Sequence, residues 1–181
     1  MVVKSVKPES AEKVLLTIEV SDNVKLGQAD LKLKSGVVHD KLTVYQNVDY
    51  IKVDPPYGVA RMGDVATMQK VSTQYTAYAY SNGPDGKKDT KDDLKLMPVK
   101  ATWTVLPYPE NESADYLKFI GSISENGLFT PLGEGVNAER EYTQENAGAA
   151  TIHAKATIDG AIFEATSHHI STVPDYVNNI H

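Results

Sequence analysis

Ala101-Thr102-Trp103-Thr104-Val105, and then FIGSISENGLFTPLGEG at residues 119–135, carry the strongest structural signal in the chain. Trp103 and its neighbours alternate apolar and polar, the period of a half-buried strand. A second alternation, Phe119-Ile120-Gly121-Ser122-Ile123, runs into Glu125-Asn126-Gly127, after which Leu128-Phe129 return the chain. Asn-Gly between two apolar runs predicts a hairpin, because both residues tolerate positive φ. Nothing in this stretch resembles reaction chemistry. It predicts a β-sandwich, with Trp103 as the central core residue.

The same pattern extends in both directions. Residues 13–20 (KVLLTIEV), 29–33 (ADLKL) and 41–45 (KLTVY) read as short strands, the second placing Ala29, Leu31 and Leu33 on one face. Residues 48–53 open a new unit that Pro55 and Pro56 halt. In residues 74–80 (QYTAYAY), Tyr75, Ala77 and Ala79 share one side, and Thr76, Tyr78 and Tyr80 the other. Lys95–Val105 contains the Trp103 strand. Residues 149–158 and 161–173 flank Asp159-Gly160, a second hairpin pair. About seven short strands at roughly ten-residue spacing predict an all-β, immunoglobulin-like sandwich over residues 48–181. Residues 1–47 predict a smaller β-segment, the second half of such a module, because three or four strands with one bare face are marginal alone.

Composition narrows the function classes. The 181 residues include 10 Tyr, 12 Gly, 9 Pro and no Cys. The net charge of −6 disfavours nucleic acid as a partner, since phosphates are bound by basic patches. No run approaches the roughly 20 apolar residues of a membrane span, and residues 1–13 show no signal-peptide core. Without cysteine there are no disulfides, thiolate metal sites or covalent c-type haem attachment on this chain.

Candidate sites are few. Asp85, Asp89, Asp92 and Asp93 cluster in the loop of residues 82–93, and calcium takes six to eight oxygens at about 2.3–2.6 Å. The alternating D-x-[DN]-x-[DN]-G pattern is absent, no closing Glu follows and three Lys intervene. A solvated turn is therefore the better reading, with calcium the alternative. His168 and His169 are adjacent on a strand and point to opposite faces, so they read as surface or semi-buried strand residues. His153 lies across the hairpin, and a metal site there would need a further donor such as Glu164; His39 and His181 are isolated. No G-x-S-x-G elbow exists, and the sequence sets no Ser and His in triad relation. Catalytic and cofactor-binding residues are thus expected to be absent. Tyr78 and Tyr80 share one face and offer an aromatic platform for carbohydrate, although packing against a neighbour is the better reading.

Residues 48–64 (VDYIKVDPPYGVARMGD), 78–96 (YAYSNGPDGKKDTKDDLKL), 101–105, 118–141 and 146–157 together resemble the C-terminal β-domains of the quinohemoprotein amine dehydrogenase alpha subunit. The resemblance is strongest from Val48 to His181; residues 4–46 are similar to the second half of the preceding domain. It implies a periplasmic complex that oxidises primary amines. Two c-type haems would reside elsewhere on the alpha subunit, and a peptide-derived quinone on a small gamma subunit, beside a propeller beta subunit. None of the family's haem-ligating or quinone-forming residues has a counterpart here, because those groups require cysteine. What the resemblance leaves to this chain is a structural role among partner subunits, as a fragment of a longer subunit or a stand-alone relative. The rival expectation is a free-standing adhesion module for surface carbohydrate or protein.

Overall fold

The computed structural model describes residues 1–33, 36–63, 69–140 and 146–173. His181 lies outside the described residues, as do the side chains of Leu31, Leu33, His39 and Lys41. The chain divides into two compact units, Met1–Asn47 with Ser81–Leu94, and Val48–Tyr80 with Lys95–His181.

In the first unit, β1 (Val2–Pro8) pairs antiparallel with β2 (Val14–Glu19), and β3 (Gly27–Leu33) with β4 (Gly36–Val44). The β1–β2 ribbon is amphipathic. Val3, Val6 and Val14 line one face and remain about half exposed, while Lys4 and Glu19 form an ion pair of 2.6 Å.

The second unit is the sandwich. One layer is the sheet β10 (Thr102–Pro107), β13 (Gly148–Ile158), β14 (Ala161–Thr172) and β6 (Tyr57–Arg61), in that order. Against it lie two three-stranded sheets: β5 (Tyr50–Asp54), β8 (Thr76–Ser81) and β9 (Leu94–Val99), and β11 (Gly121–Ile123), β12 (Leu128–Pro131) and β7 (Thr73–Gln74). The β13–β14 hairpin turns on Asp159 (φ 49°) and Gly160 (φ 84°), two consecutive left-handed residues that match the twist of long strands. Alternation decides what is buried: Ala150, Ile152, Ala154 and Ala156 of β13 all point into the core, and Tyr75, Ala77 and Ala79 do so from the opposite layer.

Two expectations change and one segment gains detail. The Phe119–Ile123 strand begins only at Gly121. Residues Leu117–Ile120 form a single helical turn, entered through a 3-10 turn capped when Ser113 accepts the Asp115 amide. Lys95–Val105 is two strands, β9 and β10, with Lys100-Ala101 crossing between layers. Trp103 is half-buried and packs against the core rather than occupying its middle, which belongs to Tyr75, Phe129, Ile120 and Ile152.

The Asn-Gly hairpin forms where the sequence places it. Ser124 N–H donates to the Leu128 carbonyl and Gly127 N–H to the Ser124 carbonyl, both at 2.9 Å. Gly127 has φ 78°, and a Cβ there would press on the Tyr75 carbonyl and the Trp103 indole. Gly127→Ala is therefore expected to cost about 1–3 kcal/mol, read as a lowered urea midpoint with an unchanged slope.

Candidate functional site

The period of two along β14 turns Ser167, His169 and Ser171 inward and His168 and Ile170 outward. His169 is fully buried, which corrects its expected place at or near the surface. Its Nδ1 lies 2.6 Å from the Tyr75 hydroxyl and its Nε2 3.3 Å from Ser171 Oγ. Ser171 donates its own proton to the Ile120 carbonyl at 2.9 Å. That commitment fixes the direction of the whole line. Ser171 Oγ must accept from Nε2–H, so Nδ1 is bare and accepts from Tyr75 O–H. All three side chains are then satisfied, as buried polar groups require.

Phe129 closes over the imidazole with ring centroids 3.8 Å apart. Burial, with a smaller contribution from His168, pushes the His169 pKa down to about 4, and burial raises that of Tyr75. Serine and histidine do meet here, a juxtaposition not legible in the sequence. Yet the hydroxyl is spent on a carbonyl and the imidazole is sealed from solvent, so the group braces the sandwich and offers no exposed nucleophile.

On the outer face of the same sheet His168 sits between two rings, stacked on Tyr57 at 5.2 Å and edge-on to Tyr108 at 4.1 Å. Tyr57, Val59, Leu106 and Tyr108 are 51%, 47%, 38% and 48% exposed, forming an aromatic and aliphatic patch. Farther along, His153 approaches Glu164 at 3.6 Å and Lys155 approaches it at 3.2 Å. Lys155 holds the Glu164 carboxyl below its ordinary range. Among the described residues no three His, Asp or Glu side chains converge as a metal site would require.

In the acidic loop the carboxylates of Asp85, Asp92 and Asp93 accept from its own backbone. Asp92 accepts from the Asp85 amide at 3.0 Å and the Thr90 hydroxyl at 2.8 Å; Asp93 accepts from the Asp89 amide at 2.8 Å. Asp85 accepts from the Lys87 amide at 2.8 Å. The Thr90 hydroxyl, then the Asp85 amide, lowers the Asp92 pKa. Tyr78 and Tyr80 do not form an open platform. Lys95 Nζ lies 3.6 Å over the Tyr78 ring, while Tyr80 stacks on Tyr50 at 5.2 Å. Clefts of about 300 and 360 Å³ flank Trp103, sharing Lys100 and Glu125 as walls.

These features define an all-β sandwich domain whose inward polar groups serve packing and whose outer sheet face carries exposed aromatics. The chain belongs to the family described as quinohemoprotein amine dehydrogenase, alpha subunit domain IV, which matches residues 51–180. No curated protein matches it significantly. A chain without cysteine forms no thioether bond to a haem, and both nitrogens of the buried His169 are already hydrogen-bonded. Among the described residues no helix is long and apolar enough to cross a membrane.

Proposed function

We propose that this chain is a non-catalytic assembly domain of a periplasmic amine dehydrogenase complex. Residues 48–181 would act as an immunoglobulin-like sandwich, with residues 1–47 as a partial β-module. Haem c and the peptide-derived quinone would reside on other parts of the complex, and amine oxidation would occur there. The observation that carries this reading is the outer face of the β10-β13-β14-β6 sheet. Tyr57, Val59, Leu106 and Tyr108 stay exposed there around the half-buried His168. Contiguous exposed apolar surface marks contact sites, and tyrosine is enriched among the residues that dominate interface energy. A four-stranded sheet backed by a packed core presents such a face at little entropic cost.

Tagged chain recovered from cells that express the whole complex is expected to bring haem-bearing and quinone-bearing polypeptides with it. Tyr57→Asp with Tyr108→Asp should lower that recovery about tenfold or more, because charge is placed in an apolar contact. Recovery of the wild-type chain with neither kind of partner would overturn the reading.

A further inference from the structure

We propose that the Tyr75–His169–Ser171 line is an acid-sensitive lock, which ties β14 to the β7–β8 segment and to the Leu117–Ile120 turn when neutral and releases them when His169 is protonated. One proton count completes every bond in the line. Ser171 faces Ile120 O as a donor at 2.9 Å, so Nε2 must carry a hydrogen, and Tyr75 then donates to Nδ1 at 2.6 Å. A second proton at Nδ1 meets the Tyr75 hydrogen head-on. Even if that hydroxyl turns to Ser167, its other side-chain partner, the imidazolium is left fully buried with no counter-charge among the described residues.

The surroundings offer no relief. From the packed elements the imidazole meets the phenol of Tyr75, the Phe129 ring, the Ser171 hydroxyl and, across the β6–β14 register, Gly58. Among the described residues no carboxylate is paired with it. On its own strand the adjacent titratable group is His168, on the other face, whose charge disfavours a second cation. Glu164, also on β14, engages Lys155 and His153 on the exposed face.

The sign follows from linkage. Folding lowers the His169 pKa from 6.5 to about 4, so the neutral group's contribution is complete above pH 6.5. It is lost as pH falls from 6.5 towards 4. Any opening that wets His169 therefore becomes about 30-fold more favourable between pH 7.5 and pH 5.

Hydrogen exchange of the whole chain, corrected for intrinsic rates, tests this. Protection of the amides of residues 167–171 is expected to fall about 30-fold between pH 7.5 and pH 5. His169→Gln, which cannot titrate, should remove that fall. Equal protection at both pH values in the wild type, or the same fall in the variant, would overturn the lock. If the variant does not fold, nitrogen NMR of the wild-type imidazole decides. An Nε2–H tautomer that persists below pH 5 supports the lock, and titration near pH 6.5 or an Nδ1–H tautomer overturns it.

Discussion

Phe129→Ala is expected to lower the unfolding free energy by about 3–5 kcal/mol. Phe129 is fully buried on β12, and it touches both halves of the structure's logic. Its apolar surface belongs to the same cluster as Ile51, Ala77, Ile120 and Ile152, and its ring covers the His169 imidazole at 3.8 Å. Removing it opens a void that close-packed neighbours fill only partly. It also wets one side of a polar line that is stable because it is dry. Urea denaturation followed by far-ultraviolet circular dichroism checks the value. A loss below about 1 kcal/mol, within the range of ordinary surface substitutions and small repackings, would mean that the core is centred elsewhere.

Gly58→Ala should be nearly as damaging, although it adds only one methyl group. Gly58 pairs with His169 in the parallel β6–β14 ladder. The volume that a Cβ would occupy holds the Tyr75 hydroxyl, with Tyr75 Cζ 2.6 Å and Thr73 Cγ2 3.0 Å from the same point. The phenol is buried with little freedom to retreat, and Thr73 is partly buried. The methyl must displace the phenol and break its bond to Nδ1. Overpacking costs about 1–3 kcal/mol and an orphaned buried polar group about 1–3 kcal/mol more. The test is a double-mutant cycle with Tyr75→Phe, in which the phenol oxygen is already gone. Much of the Gly58→Ala penalty should vanish in that background, whereas strict additivity would show that Gly58 and the hydroxyl do not interact.

Local turn chemistry is what made the fold readable. Asp159-Gly160 turns on two left-handed residues and Asn126-Gly127 on one, Gly127, and each forms its hairpin. The alternation of Tyr75, Ala77 and Ala79 places all three inside. What escaped was non-local or ambiguous. β6 follows Pro55-Pro56, a pair that signals a stop, yet Tyr57–Arg61 pairs in parallel with β14, more than 100 positions away. Val2–Pro8 has a strand pattern but no buried face to enforce it. Phe119-Ile120 reads equally as strand or helix because short apolar runs have no distinctive period. That His168 and His169 face opposite sides was legible as a period of two, but not which of them faces inward. The meeting of His169 with Tyr75 spans 94 positions and leaves no mark on local sequence. The outer aromatic patch likewise depends on which strands become neighbours.

The proposed non-catalytic role of this polypeptide is tested most directly by its own redox activity. Purified chain mixed with a primary amine and an artificial electron acceptor should leave the acceptor unreduced, with a visible spectrum free of haem or quinone bands. Amine-dependent reduction by this chain alone, with stoichiometric loss of the amine, would contradict it.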